Sequence, residues 1–148
     1  MKLIYLAIAI LITLSACEKG VNFKNYPTYK DALEDGAIEK GWIPEFLPKS
    51  STNIYENHDV DVNQIAVKFS SKDTTFLSKL KIIEKGMYED ALLLIRSTEL
   101  PEAKKTKLYF YYLRCTQEGP GILATDGDGL FYYIEPAGMP FTSKCTSS

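Results

Sequence analysis

The only histidine of the chain, His58, opens its most polar short run, His-Asp-Val-Asp-Val-Asn. In an extended chain alternate side chains share a face, so Asp59, Asp61 and Asn63 would lie together, with His58 pointing the other way. A calcium or magnesium ion binds about six oxygen ligands, more than this run supplies. We therefore expect these side chains to bond the backbone of a turn. A hydrolase that uses His58 with Asp59 or Asp61 is the catalytic alternative.

Other motifs that carry chemistry are weak or missing in this sequence. The stretch 126–129, Asp-Gly-Asp-Gly, has the start of a calcium loop, but Leu130 stands where a third oxygen ligand is needed. These residue types suit a hairpin turn. The sequence holds no Gly-x-Ser-x-Gly, His-Glu-x-x-His, phosphate-binding glycine loop or Cys-x-x-Cys. We expect no catalytic residue, no metal and no cofactor, and a binding protein rather than an enzyme.

Aromatic residues concentrate in the last third of the chain. They either form an exposed platform that stacks on a sugar or a protein partner, or they fill the core between adjacent strands, which is the commoner use of such residues. The rings concerned are Tyr109, Phe110, Tyr111, Tyr112, Phe131, Tyr132 and Tyr133.

The elements that must position these residues predict an α+β fold. Thr28 and Asp31 have the spacing of a capping box and Gly41 that of a helix end, which predicts a helix over 28–41. A turn-rich segment then leads to a strand near 64–70, and 87–99 favours a second helix. The stretch 105–115 and the two sides of the 126–129 turn read as strands. We predict a small, mostly antiparallel sheet of about four strands with one to three helices packed against it.

The chain starts with a cationic residue, Lys2, followed by twelve uncharged and mainly apolar residues, 3–14. A membrane span needs about 20 such residues, so this run is too short. The layout is typical of a secretory signal peptide, with a core helix as the alternative.

The residues Leu14-Ser15-Ala16-Cys17 resemble the lipobox of bacterial lipoproteins. The resemblance implies that 1–16 is a signal peptide that is removed and that the Cys17 sulfur receives a diacylglycerol, with further acylation by a chain such as palmitate. Two or more acyl chains anchor a protein durably to a membrane. Residues 17–26 would be the anchor and a short tether, and 27–148 a single globular domain. The expected location is the periplasm-facing cell envelope, and Glu18 in place of aspartate slightly favours the outer over the inner membrane.

With Cys17 assigned to lipid, two of the three cysteines remain, Cys115 and Cys145. In an oxidising envelope these two are expected to form one disulfide. Two separate reduced thiols are the alternative.

The formal net charge of −2 argues against a nucleic-acid partner, which would favour clustered lysine and arginine. The chain length is that of one domain with its own core.

The segment 41–63 has a characteristic pattern of glycine, tryptophan, proline, aliphatic and polar residues, formed by Gly41, Trp42, Ile43, Pro44, Leu47, Pro48, Ile54, His58, Asp59, Asp61 and Asn63. This pattern resembles the YbbD-type head domain of uncharacterised bacterial envelope proteins. The resemblance implies a shared fold, and the family has no established activity to transfer. Candidate binding residues are Trp42, His58, Asp59, Asp61 and Asn63.

These observations favour a non-catalytic envelope lipoprotein that recognises a protein or a cell-wall component through an unidentified partner. An immunity-type lipoprotein that neutralises a toxin in the periplasm is one alternative. The envelope hydrolase built on His58 is the other.

Overall fold

The computed structural model describes residues 21–145, which form one seven-stranded sheet with helices on its faces. Every pair of neighbouring strands is antiparallel, in the order β1-β2-β3-β7-β6-β5-β4. The strands are β1 (Val21–Thr28), β2 (Thr52–Asp59), β3 (Gln64–Ser70), β4 (Lys81–Ile82), β5 (Phe110–Thr116), β6 (Gly119–Thr125) and β7 (Leu130–Glu135), and the helices are α1 (Tyr29–Glu34), α2 (Tyr88–Ser97) and α3 (Thr142–Cys145). The predicted α+β class and antiparallel sheet are confirmed, but the sheet has more strands than the four expected.

Two of the additional strands, β1 and β2, lie where the sequence predicted a tether and a turn-rich segment. β1 contains two asparagines and Pro27, which disfavour strands but are tolerated at a sheet edge. In β2 the buried positions alternate correctly, yet two of the three hold the polar residues Glu56 and His58. The sequence of β2 therefore does not show the alternation of apolar and polar residues that would have predicted a strand. From Val21 onward the chain is part of the sheet rather than of the tether predicted over 17–26.

Both faces of the sheet are covered. The first face, with Val67 of β3 and Tyr133 of β7, packs against α1 and the connecting segment 35–51. The second face, with Tyr132 and Ile134 of β7, packs against α2, the segment 98–106 and the C-terminal segment 137–145. The central strands are therefore buried on both sides, which makes a three-layer arrangement.

The N-terminal helix begins as predicted but is shorter. The Thr28 hydroxyl accepts a hydrogen bond from the Asp31 amide, and the Asp31 carboxylate accepts one from the Thr28 amide, so the capping box is confirmed. The helix ends at Glu34, and the chain then turns through Gly36 with φ +74°. The prediction that it continues to Gly41 was wrong because the left-handed backbone at Gly36 terminates it earlier. The second predicted helix is confirmed as α2.

The aromatic residues of the last third divide between core and surface. Tyr111, Phe131, Tyr132 and Tyr133 are buried, whereas Tyr109 and Phe110 are exposed. They therefore do not form one continuous platform, and most of them serve the core.

The predicted hairpin turn at 126–129 joins β6 to β7. Its two glycines have positive φ, and the Asp126 carboxylate accepts hydrogen bonds from the Asp128 and Leu130 amides. The turn prediction is confirmed, since Asp126 is occupied with backbone groups.

The predicted Cys115–Cys145 disulfide is present and joins the end of β5 to α3. The two Cα atoms are 5.4 Å apart and the residues are separated by 30 positions in the sequence. The bond holds the C-terminal segment, with its buried Phe141, against the second face.

Gly121 in β6 is required by a neighbouring tyrosine. A Cβ at this position would lie 2.1 Å from the Tyr133 hydroxyl oxygen and 2.6 Å from the ring carbon that carries it. We expect Gly121→Ala to lower the free energy of unfolding by about 2 to 3 kcal/mol, since overpacking a buried site forces the tyrosine or the strand to move. Gly86→Ala is the matched control because a Cβ there meets nothing within 4 Å. Equal midpoints for both variants in urea unfolding would contradict this prediction.

Candidate functional site

The single histidine is buried beside a buried carboxylate. The pleat of β2 places Glu56 and His58 on the first face, where they are 0% and 4% exposed. His58 Nδ1 lies 2.9 Å and 3.1 Å from the two carboxylate oxygens of Glu56. Because a carboxylate accepts hydrogen bonds, the Nδ1–H group donates to it, which fixes the orientation of the ring.

Trp42 covers the imidazole. Its ring stacks on that of His58 with the centroids 4.1 Å apart and the planes 10° from parallel. The ammonium groups of Lys40 and Lys24 lie 4.5 Å and 5.5 Å from the indole centroid. The half-buried indole therefore covers one face of the His58 ring. Trp42 shields the Glu56–His58 pair and is not an exposed ring available for binding.

The electrostatics around this pair are those of a buried polar cluster. Burial raises the pKa of Glu56, while the hydrogen bond and charge of His58 oppose that rise. Nearby, the Tyr26 hydroxyl donates to Asp35 at 2.7 Å, and Lys24 lies 2.6 Å from the same carboxylate oxygen. The hydrogen bond from Lys24 lowers the pKa of Asp35, and burial raises that of Tyr26. Each polar group of the cluster thus has a partner.

The remaining candidates, Asp59, Asp61 and Asn63, belong to the tight turn between β2 and β3. The Asp59 carboxylate accepts a hydrogen bond from the Asp61 amide at 2.9 Å, and Asn63 has φ +50°. The backbone-bonding role expected for Asp59 is confirmed, but the chain is not extended here, so the three side chains do not alternate onto one face. Within 21–145 no group of three or more histidine, cysteine, aspartate or glutamate residues could hold a metal ion.

A second polar cluster was not predicted from the sequence. The buried Glu135 carboxylate accepts hydrogen bonds from the hydroxyls of Tyr133 and Thr116, and from Arg114 Nη1 at 3.3 Å. Burial and the neighbouring Glu135 raise the pKa of Tyr133 well above its usual range. Period-2 alternation places Tyr133 and Glu135 on one face, but only the register of β5, β6 and β7 brings Arg114 to them.

This cluster borders a cleft of about 760 Å³ that also reaches Lys40 and Asn63. The cleft therefore adjoins the β2–β3 turn. Both oxygens of the Glu135 carboxylate already accept hydrogen bonds from three donors, so it is not placed as a free general base.

None of the helices within the described residues is long and apolar enough to cross a membrane. Cys17 and the signal peptide predicted over 1–16 lie outside the described part of the chain.

Residues 22–70 match the family model of the YbbD head domain. A search of the curated proteins and a search of the solved structures found no match. The matched segment runs from β1 to the end of β3 and includes α1, Trp42 and the Glu56–His58 pair. The similarity to the YbbD-type head domain therefore covers the first three strands and the connecting segment that packs on their first face.

Proposed function

We propose that this chain is a non-catalytic lipoprotein of the bacterial cell envelope, anchored by lipid on Cys17 and serving as an interaction module. The observation that carries the proposal is the Cys115–Cys145 disulfide, which accounts for the two cysteines other than Cys17. That residue stands in the motif whose cysteine is lipidated in lipoproteins. A disulfide is also typical of an oxidising compartment such as the periplasm.

Chain geometry supports a direct attachment. Cys17 precedes Val21 by four residues, which can span at most ~14 Å at ~3.5 Å per residue. Val21 pairs with Asp59, so the start of β1 lies beside the β2–β3 turn. At that turn Val60 and Val62 are 60% and 62% exposed. In this proposal the turn faces the membrane, and both valines contact its surface.

The opposite end of the sheet would then face away from the membrane. β2 crosses the sheet from Thr52 to Asp59, which is ~23 Å at ~3.3 Å per residue. The residues at the distal end are therefore free to meet a protein or a cell-wall component. Glu18, next to the anchor, favours the outer membrane in this proposal.

The surroundings of His58 support a non-catalytic role. Its ring is buried, hydrogen-bonded to Glu56 and covered by Trp42. These are properties of a residue packed in the interior, whereas a general base must be accessible to the substrate. The proposed partners are consequently recognised by surface contacts.

Labelling with radioactive palmitate tests the anchor. We expect the wild-type chain to incorporate label and Cys17→Ser to incorporate none and to keep its signal peptide. The double variant Cys115→Ser/Cys145→Ser is the control, because it loses two cysteines but keeps the lipidation site. Label in Cys17→Ser, or unchanged maturation and fractionation of that variant, would contradict the proposal.

Crosslinking in whole cells followed by mass spectrometry tests the interaction. We expect crosslinks from the distal end of the sheet to an envelope protein or to glycan, and their loss in Cys17→Ser. Crosslinks that are equally abundant without the anchor would count against an envelope partner.

A further inference from the structure

A lysine is buried in the middle of the sheet. Lys68 occupies the centre of β3 on the second face, between Tyr55 of β2 and Tyr132 of β7, and is only 7% exposed. Lysine is almost never buried to this extent unless its charge is paired. Its ammonium lies 5.2 Å from the centroid of the Tyr55 ring, a favourable position over an aromatic face.

The partner of this lysine comes from the solvent side. Lys68 Nζ lies 2.6 Å from Glu102 Oε2, but the Glu102 side chain is 65% exposed. Glu102 lies in the segment 98–106, and its φ of +64° is unusual for a residue with a side chain. The Lys68 ammonium is thus held within the sheet. The Glu102 carboxylate reaches it from a surface loop, where the backbone of Glu102 is in a strained conformation.

Both residues line a cleft of about 670 Å³ at the end of the sheet opposite the β2–β3 turn. Its walls are rich in groups that hydrogen-bond hydroxyls, and they include one aromatic ring. These wall residues are Thr52, Asn53, Tyr55, Ser70 and Asp128. A buried cation, polar donors and acceptors that include the Asp128 carboxylate, and a ring against which a sugar can lie are therefore present in one cavity.

We propose that this cleft binds a sugar that carries a carboxylate, and that the carboxylate of the sugar replaces that of Glu102 on Lys68. The hydroxyls of the ligand meet the polar wall, and its apolar ring face packs on Tyr55. Glu102 is then an internal competitor that keeps the buried cation paired while the site is empty. The choice of an acidic sugar rests on the proposed envelope function, since such sugars occur in cell walls, but binding itself does not require the lipid anchor.

Calorimetric titration of the purified full chain tests the site with a matched pair of probes. N-acetylmuramic acid has the carboxylate and N-acetylglucosamine has the same ring without it. We expect the acid to bind at least about tenfold more tightly, the difference that one well-placed ion pair of ~1.4 kcal/mol produces. Equal affinity for the two sugars, or no binding of either by the wild-type chain and by Glu102→Gln, would overturn the proposal.

Two substitutions separate a binding site from an ion pair that only fastens the loop. Lys68→Met should abolish binding of the acid, whereas Lys107→Met, an exposed lysine, should bind as the wild type does. Glu102→Gln should bind the acid about tenfold more tightly, as expected if Glu102 occupies Lys68 about 90% of the time. Glu99→Gln, another exposed glutamate nearby, is the control.

The Glu102 variant keeps the test decisive if Lys68→Met fails to fold. A gain of affinity cannot arise from damage to the fold, so tighter binding by Glu102→Gln supports the site. Unchanged affinity in Glu102→Gln assigns the ion pair to the fold and overturns the proposal. The palmitate experiment is unaffected by either result, so failure of the anchor and failure of the cleft are distinguishable.

Discussion

Replacing His58 with alanine is expected to lower the free energy of unfolding at neutral pH by about 3 kcal/mol, the cost of leaving a buried carboxylate without its hydrogen-bond donor. The substitution leaves the fully buried Glu56 carboxylate without the Nδ1–H donor that lies 2.9 Å from it. It also removes the ring on which Trp42 stacks. Urea unfolding monitored by tryptophan fluorescence measures the loss, because Trp42 is the only tryptophan.

The loss should depend on pH in a definite direction. Burial raises the pKa of Glu56 above its ordinary value of 4.5, so the folded state binds this proton more tightly than the unfolded state does. Such a carboxyl stabilises the fold fully below its ordinary pKa, and that contribution is lost as the pH rises through the raised pKa. Without His58, only the charge of Lys24 still opposes the rise in the pKa of Glu56. The difference between variant and wild type should therefore be smallest near pH 4 and grow toward pH 7.

Two comparisons test this explanation. Glu56→Gln combined with His58→Ala should be more stable at pH 7 than His58→Ala alone, because the unpaired charge is gone. Asp59→Ala, one residue away, should cost only about 1 kcal/mol, since the exposed Asp59 carboxylate loses one short and one long hydrogen bond to the Asp61 and Val62 amides. A His58→Ala protein as stable as the wild type would instead return His58 to the list of candidate catalytic residues.

Loss of the Cys115–Cys145 disulfide is expected to lower the free energy of unfolding by about 3 to 4 kcal/mol, from the chain entropy of a loop of this length. The bond joins positions 30 residues apart, and without it the unfolded chain gains conformational freedom. The C-terminal segment that carries Phe141 and α3 should detach first, because it is attached to β5 by this bond.

The double variant Cys115→Ser/Cys145→Ser measures this effect without leaving a single reactive thiol. Both it and the parent chain should carry Cys17→Ser, so that no third thiol interferes. Dithiothreitol should destabilise the parent to the level of the double variant and leave the double variant unchanged. Equal stability of the parent and the double variant would show that the segment is held by packing alone.

The sequence by itself determined the features that depend on neighbours in the chain. The capping box at Thr28 and Asp31, the glycine-rich turn at 126–129 and helix α2 arise from short-range geometry and were predicted. The Cys115–Cys145 pairing was also predicted, because the motif around Cys17 left two other cysteines and a single way to join them. The resemblance in 41–63 followed from the types and spacing of its residues, and the family match over 22–70 covers it.

Only the tertiary structure decided which polar residues are inside. Glu56, His58 and Lys68 are buried although their residue types are usually exposed, because a charged group is buried favourably only with a partner, which another segment can supply. Their partners or covers are Trp42 from the connecting segment and Glu102 from the loop after α2. Likewise β1 is a strand because β2 pairs with it, and not because its composition favours one. Pairing between distant segments provides partners for the backbone hydrogen-bonding groups and for the buried charges. The sequence near each of these residues does not indicate which distant segment it will contact.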